Sequence, residues 1–595
     1  MESSNKASPN NAGGANRRIQ VWYIVLLAIA VIFIGRLFYL QIVRHEYYHQ
    51  QALNDQLKEY KIAPQRGTIS ANEAGRVVPL VLNQQLYTLY ADPVFIKDAK
   101  NDAAKIAPIT AGDAEKYQQQ MLTKKTRYVV LAKRLSEDQK KKVEALKLPG
   151  IGLQAQDYRT YPQGSLSSQT LGFVDNDGKG QYGIEQYLNK QLSGTPGELK
   201  AITDVRGVPL AASKDNIQIN PKAGDNLVLT VDLAMQKQLE NILKQGLDNV
   251  LSTSGSALIM DANTGAVKAM ANWPTYDPSQ YFNVTDSSVF NNANVSSPLE
   301  VGSIMKVLTT SAALDIRVIQ PNTVYNDPGS WSLDGHQVTN AESHNGPTSI
   351  AEVLNLSMNT GATWILMQMG GQTGVITKQA RDIWHNYMVN HFEFGKNTGI
   401  EQGYEAGGYV PDPDNGYALE LTYANTAFGQ AMTATPLQMA AALAGAVNGG
   451  TYYKPYVIES STSSNGKKTT KQPVIVKQNV VSDTTSQEIR GLMEYMITEH
   501  VKEGFPYLVF PSNFSVGGKT GTPEIADPAG GYYTDRFNGT YMGYVGGDKP
   551  QYVIFVRVNV PKNVKYGGSG AAQPVFASIA HMLIDNFNVT PKTNQ

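Results

Sequence analysis

The chain of 595 residues has no cysteine. That excludes disulfides, thiolate metal sites and a cysteine nucleophile, and it suits a compartment where stray thiols would oxidise. Histidine is scarce, with eight residues in the whole chain, so few imidazoles are available as bases. Neither sign of charge is in excess, with 51 basic and 51 acidic residues. This balance gives no pointer to a nucleic acid or another polyanion as partner. There is no His-Glu-x-x-His zinc pattern and no phosphate-binding Walker loop, so neither a metal nor a nucleotide is called for. No internal repeat is found. The length exceeds what one hydrophobic core usually organises, which predicts two or three domains.

What is present begins with a nearly unbroken apolar run from Val21 to Val43. At about 1.5 Å per residue it is long enough to cross a membrane. Ala28-Ile29-Ala30 has the small-x-small look of a signal-peptide cleavage site, but the run stays apolar through Val31 to Ile34, which favours an uncleaved anchor. Arg17 and Arg18 precede it. Residues 1–20 are therefore expected to be a cytoplasmic tail, 21–43 a transmembrane helix, and everything after Arg44 to lie outside the cytoplasm. Arg36, inside the span, is expected to snorkel toward the interface, with pairing to a partner helix as the alternative.

Residues 44–221 mix strand-like runs ("LYTLYADP", "RYVVLAKRL") with a lysine-rich helical stretch ("SEDQKKKVEALKLPG") and with glycine and proline clusters. This texture predicts an elongated, loop-rich module without a constellation of reactive groups. Residues 225–590 read differently. A strand leads into a helix capped by Asp232, with Leu239, Ile242, Leu243 and Leu247 on one face. "SALIMDANTGAVKAMAN" and "GTYMGYVGGDKPQYVIFVRVNVP" read as hairpins at opposite ends of a helical middle. The expected fold class is α+β, with one antiparallel sheet assembled from both ends of the domain and flanked by helices. "SSTSSNGKKTTKQ" (residues 460–472) reads as an exposed insertion.

Three short patterns occur in order within this domain: Ser303-Ile304-Met305-Lys306, Ser357-Met358-Asn359 and Lys519-Thr520-Gly521-Thr522. A serine hydroxyl is a poor nucleophile until a base removes its proton, and a buried lysine with a lowered pKa can be that base. At a spacing of three on a helix the two side chains share a face. Val301, Ile304 and Leu308 would bury that helix start, and Gly302 permits close backbone approach. The Lys-Thr-Gly-Thr run fits a strand edging a cleft, where Thr520 and Thr522 could bind a carboxylate beside Lys519 and where Gly521 admits a substrate backbone. Each pattern alone is close to noise. Ser-x-x-Lys recurs at Ser3–Lys6 and Ser464–Lys467, and Ser-x-Asn recurs at Ser3, Ser8 and Ser463. Order and spacing carry the signal, because together they form the serine, Ser-x-Asn and Lys-Thr-Gly set of penicillin-recognising acyl-transfer enzymes.

On these residues the chain resembles the class B penicillin-binding proteins, monofunctional peptidoglycan transpeptidases. Outside the three patterns the likeness extends to "RGTIS" (66–70), "YADP" (90–93), "RTYPQGSLSSQTLGF" (159–173), "GQYGIEQYLN" (180–189), "FGKNTGI" (394–400) and "AFGQAMTATPLQMAAA" (427–442). It looks more like the division-type branch than the elongation-type branch. Ala71 and Asn72 stand where Asp and Arg are usual in the family, and Val301 stands where proline is common. The resemblance implies a 44–221 pedestal of the dimerisation type and a 225–590 penicillin-binding transpeptidase domain. It implies that Ser303, deprotonated by Lys306, attacks the penultimate D-Ala of a peptidoglycan stem pentapeptide. Ser357, with Asn359 and Lys519, would relay a proton to the leaving amine. Thr520 and Thr522 would hold the terminal carboxylate, and the amides of Ser303 and Thr522 would stabilise the oxyanion. β-Lactams would trap Ser303. Partners implied are a polytopic lipid II polymerase and other division or elongation proteins. The alternatives are a D,D-carboxypeptidase, a β-lactamase, which would need neither anchor nor pedestal, and a weakly catalytic scaffold or β-lactam sensor.

Overall fold

The computed structural model describes residues 13–48, 57–123, 126–202 and 217–593. The tail ahead of Gly13, with its Ser3–Lys6 pair, lies outside the described residues. Two compact units are formed, one from Met1–Pro64 with Thr195–Lys222 and one from Gln65–Gly194 with Ala223–Gln595.

The first unit holds an α-helix, Gly13–Phe38, which continues as a π-helical turn over Tyr39–Val43. Its apolar stretch Ile19–Val43 is 25 residues long and is not buried against the rest of the protein. Such an apolar surface suits a hydrocarbon surrounding, where a helix pairs the backbone groups of its interior within itself. The Arg36 guanidinium reaches C-terminally to within 5.7 Å of the Tyr39 ring, toward the end where Arg44 donates to the Tyr39 hydroxyl at 2.9 Å. Snorkelling would take the side chain in this direction. The unit also contains a three-stranded antiparallel sheet of Leu57–Ile62, Gly197–Ile202 and Ile217–Ile219.

In the second unit, a mixed sheet crosses the expected 221–225 boundary. Asn226–Asp232 pairs in parallel with Ile69–Glu73 on one side and antiparallel with Ile458–Thr462 on the other. Ile69–Glu73 continues into Arg76–Ala91, on which Val129–Leu135 and Ile151–Thr160 pair. The "SSTSSNGKKTTKQ" stretch is exposed as expected, and it is itself strand-forming. It forms a hairpin, Ile458–Thr462 with Lys468–Thr470, and its Ser464–Lys467 pair sits in the exposed turn. A buried carboxylate organises the quoted glycine-rich motifs. Glu185, fully buried, accepts from Arg66 Nε at 2.8 Å and from Arg159 at 2.9 and 2.6 Å. Two guanidiniums on one carboxylate repay its desolvation, and losing one partner would strand a buried charge. Asn72, at one of the three departures from the family pattern, donates to Glu459.

The other sheet of this unit is built as expected. Its strands are β1 (Ser254–Asp261), β2 (Val267–Trp273), β3 (Ser515–Gly521), β4 (Gly539–Gly546) and β5 (Pro550–Asn559), in the antiparallel order β2-β1-β5-β4-β3. The helices that concern the site are α1 (Leu233–Asn249), α2 (Met305–Asp315), α3 (Asn359–Met369), α4 (Pro436–Val447), α5 (Asp483–Lys502) and α6 (Gln573–Asn586). Alternation along the strands sends Ala257, Ile259, Ile554 and Val556 into one core with Leu239, Leu243 and Leu247 of α1 and Phe576 and Ile579 of α6. Leu258, Met260, Val553 and Phe555 point into the opposite core, which includes α2, α3 and α4. At roughly 1.5–3 kcal/mol per fully buried aliphatic or aromatic side chain, these two layers fix the sheet as a rigid platform. Asp232 caps α1 as expected, accepting from the amide of Met235 at 3.0 Å. The edge left toward the helical side is β3, which carries Lys519, Thr520 and Gly521.

Candidate active site

The turn that presents Ser303 is anchored from three directions. Gly302–Ile304 forms a single 3₁₀ turn that runs straight into α2. Gly302 has φ +69°, and an added Cβ would stand 3.0 Å from the backbone nitrogen of Pro523, so glycine is required. Its amide donates to the carbonyl of Gly429 at 3.0 Å, Thr540 of β4 donates to the carbonyl of Val301 at 3.0 Å, and Leu299 and Ala434 exchange backbone bonds at 3.0 Å. Val301 and Ile304 are fully buried, which places this turn against the core while Ser303 keeps partial exposure. Glu300, one residue earlier, accepts from the amide of Ala431 at 2.8 Å and from the Tyr532 hydroxyl at 3.0 Å.

Lys306, 1% exposed, is not a solvated lysine. Its Nζ lies 2.8 Å from Ser303 Oγ, 2.7 Å from the carbonyl of Ser357, 2.8 Å from Asn359 Oδ1 and 3.3 Å from Ser357 Oγ. The chemistry of the three shortest contacts assigns their roles. A carbonyl oxygen and an amide oxygen only accept, so they take the two N–H bonds of a neutral amine. The remaining lone pair then faces the Ser303 hydroxyl. Asn359 is held in this orientation by its Nδ2, which donates to the carbonyl of Thr339 at 3.1 Å. Ser357 itself adopts φ +54°, a left-handed conformation uncommon outside glycine and a mark of local strain.

Lys519 enters from β3. It is 1% exposed and donates to Ser357 Oγ at 3.0 Å, to the Thr520 carbonyl at 3.0 Å and to Thr520 Oγ1 at 3.2 Å. The Ser357 hydroxyl thus stands between two lysines. Burial, followed by the charge of Lys519, holds Lys306 well below the usual lysine range. Burial pushes Lys519 down to about 7. Desolvation disfavours an ammonium, and two ammoniums around one serine repel each other, so the pair holds one proton more readily than two. The Phe428 ring, 5.8 Å from Lys306 Nζ, adds an apolar wall.

Thr520 and Thr522 are partly exposed along the cleft edge, and Thr522 Oγ1 accepts from the amide of Gly568 at 3.1 Å. Gly521 pairs with Thr540 across β4, and a Cβ there would lie 2.3 Å from Thr540 Oγ1. Glycine is therefore what lets β3 pass beside the bond that holds the nucleophile turn. All eight residues singled out from sequence occupy this one region: Ser303, Lys306, Ser357, Asn359 and Lys519 in one hydrogen-bonded chain, Thr520 bonded to Lys519, and Gly521 and Thr522 next along β3. Sequence reasoning did not find Thr540, which acts through its hydroxyl, or Gly429 and Thr339, which act through their backbone carbonyls. "AFGQ" around Gly429 was visible only as a family-like block. Farther along the cleft, Glu342 accepts from Lys565 at 3.2 Å and from the Tyr566 hydroxyl at 3.1 Å, joining the loop after Asn340 to the segment before Gly568.

Comparison with known proteins agrees with this geometry. Residues 255–581 match the penicillin-binding protein transpeptidase domain, and residues 61–229 match the penicillin-binding protein dimerisation domain. The chain is 30% identical over 588 residues to stage V sporulation protein D of Bacillus subtilis, covering 97% of this chain and 87% of that one. It is 26% identical over 584 residues to the peptidoglycan D,D-transpeptidase FtsI of Escherichia coli K12, covering 95% and 91% respectively. The crystal structure of penicillin-binding protein 2X from Streptococcus thermophilus shares the fold, with a TM-score of 0.69 at 23% identity over 88% of this chain and 79% of that one. With its serine, Ser-x-Asn and Lys-Thr-Gly residues gathered in one cleft and its transpeptidase domain match spanning more than half its length, the chain belongs to the class B penicillin-binding proteins.

Proposed function

We propose that the protein is a membrane-anchored serine D,D-transpeptidase of the division type, which cross-links peptidoglycan stem peptides through an acyl-enzyme on Ser303 and is acylated there by β-lactams. The observation that carries this reading is the Lys306 amine, buried and flanked by two pure acceptors with its lone pair left for Ser303. In the first step the Ser303 proton passes to Lys306 Nζ while Oγ bonds to the carbonyl carbon of the penultimate D-Ala. The amides of Ser303 and Thr522 take the developing oxyanion, a role worth a few kcal/mol in comparable sites. The C–N bond then breaks, and the leaving D-Ala nitrogen receives the Lys306 proton through Ser357 Oγ, which is within reach of both lysines. Thr520, Thr522 and the Lys519 charge hold the terminal carboxylate, and Gly521 admits the peptide backbone. In the second step an amine of a neighbouring stem peptide attacks the ester carbon, gives its proton back through the same relay, and returns Ser303 to its hydroxyl form.

The domains serve this chemistry as an expected tail (1–20), anchor (21–43), pedestal (44–221) and catalytic domain (225–590), with the active site outside the bacterial membrane and the N-terminus inside. A polytopic lipid II polymerase, which supplies nascent strands at the same membrane, is the partner that best suits a single-helix anchor. The test is to supply a D-Ala-D-Ala pentapeptide donor, with and without an amine acceptor. Release of D-Ala together with acceptor-dependent amide product supports the transpeptidase. Release without any amide product moves the reading to a D,D-carboxypeptidase, and no release moves it to the scaffold. Lys306→Met is expected to lower acylation by about 10²–10⁴-fold, the usual worth of a positioned base.

A further inference from the structure

The excursion between Asp327 and Asn340 converges on two residues, Asn359 and Thr360, at the start of α3. Asn359 Nδ2 donates to the Thr339 carbonyl at 3.1 Å, the Thr360 amide donates to Asn340 Oδ1 at 3.0 Å, and Trp331 Nε1 donates to the Thr360 carbonyl at 3.0 Å. Asn340 Nδ2 donates to Thr360 Oγ1 at 2.8 Å, and the single Thr360 hydroxyl proton has both Asn340 Oδ1 at 3.0 Å and Asp327 Oδ2 at 3.2 Å within reach. The second Asn340 Nδ2 proton reaches the same Asp327 oxygen at 3.3 Å, and the Gly329 amide reaches Asp327 Oδ1 at 3.3 Å. Asp327, Asn340 and Thr360 thus form one closed hydrogen-bonded set.

Asp327 is 1% exposed, and among the described residues no cation pairs with it. A buried carboxylate without a cation is costly unless amide dipoles and hydroxyls receive it. Here it is received by the Gly329 amide, the Asn340 amide group and the hydroxyl of Thr360, which stands in the first turn of α3 at the positive end of that helix dipole. The hairpin could have been packed with apolar residues. Instead the polar set fixes the one helix turn whose first residue, Asn359, points its amide oxygen at the base Lys306.

We propose that Asp327, with Asn340 and Thr360, is a positioning group for the acyl-transfer reaction. It locks the first turn of α3 so that Asn359 Oδ1 occupies one N–H of Lys306 and the lone pair of Lys306 stays on Ser303. The inference rests on the proposed role of Lys306 as base. Loosening this lock lets Lys306 rotate among its four oxygen contacts, so the chemical step slows while the non-covalent complex with the antibiotic forms as before.

The test uses the full-length chain in detergent with a fluorescent penicillin, resolving the dissociation constant of the first complex from the acylation rate constant, with thermal unfolding in parallel. Thr360→Val removes the hydroxyl at nearly constant volume, and Asp327→Asn removes the charge at constant shape. Both are expected to lower the acylation rate constant about tenfold with the first complex unchanged, the scale of a small misplacement of reacting groups. Thr360→Ser, which keeps the hydroxyl, is expected to return the rate to within about twofold. A wild-type acylation rate constant in either variant, whatever its melting temperature, overturns the proposal, as does a loss confined to the first complex. If Thr360→Val does not fold, the Asp327→Asn rate decides alone. Wild-type protein that is not acylated at Ser303 would instead overturn the reading of Lys306 as base, which separates the two failures.

Discussion

The two lysines around Ser357 set how the site responds to pH. Lys306 acts as a base only when neutral, and Lys519 binds a carboxylate only when charged. Both pKa values are lowered, Lys306 well below the usual range and Lys519 to about 7. As pH rises through the Lys306 value the base becomes available and acylation accelerates. As pH rises further through the Lys519 value the carboxylate anchor is lost and acylation slows. The second-order rate constant for acylation by a penicillin is therefore expected to be bell-shaped, with its alkaline limb near pH 7 in the free enzyme. That limb should move upward in the saturated rate constant, because a bound carboxylate favours charged Lys519. A rate that climbs without an alkaline limb up to pH 10 would contradict the assignment of Lys519, and stopped-flow acylation across pH decides it. The same burial has a stability cost. A lysine whose pKa is lower in the folded chain binds fewer protons there than in the unfolded chain, so between about pH 7 and the usual lysine pKa stability rises with pH. Lys519→Met is accordingly expected to raise the melting temperature while weakening penicillin capture, a trade between stability and function. At this scale the sequence was highly legible, because Ser303, Lys306, Ser357, Asn359 and Lys519 are chemically distinctive types at informative spacings. Asp327 and Asn340 were not, since their role depends on a hairpin returning to α3, which spacing does not reveal.

Elements place these groups through close approaches that glycine permits. β3 can lie beside the nucleophile turn because Gly521 has no side chain, and Thr540 of β4 uses that space to hold the carbonyl of Val301. Gly521→Ala is expected to displace Thr540 and lower the acylation rate constant by about tenfold or more, the consequence of moving a reacting group by a fraction of an ångström to an ångström. Unchanged kinetics in Gly521→Ala would show that the Thr540 bond does not position Ser303. The hairpins of the sheet could be read in advance from alternating apolar residues and turn chemistry, and α1 from Asp232 and its leucine stripe. The strand pairing of Asn226–Asp232 with Ile69–Glu73 could not, because parallel partners far apart in sequence leave no local signal. The lysine-rich stretch with the decoy Ser464–Lys467 shows the limit of pattern reading. It forms an ordered hairpin with the pair in an exposed turn, away from the helix start and the burial that the Ser303–Lys306 pair has.

At the scale of the whole molecule, the apolar helix Ile19–Val43 and the preceding Arg17 predict one membrane crossing with the catalytic domain outside. A fluorescent protein fused ahead of residue 1 should glow, and alkaline phosphatase fused after residue 595 should be active in the same cells. The reverse pair of results would contradict the orientation. Arg36 leans to Tyr39, toward the C-terminal end of the helix. The central claim is that a buried lysine has made Ser303 the nucleophile, and the most direct measurement is to find where a penicillin attaches. Full-length protein should be labelled with a fluorescent penicillin beside Ser303→Ala and Ser464→Ala, and the labelled peptide sequenced by mass spectrometry. The account predicts a single adduct on Ser303, present in Ser464→Ala and absent in Ser303→Ala. An adduct elsewhere, or labelling that survives Ser303→Ala, would contradict it.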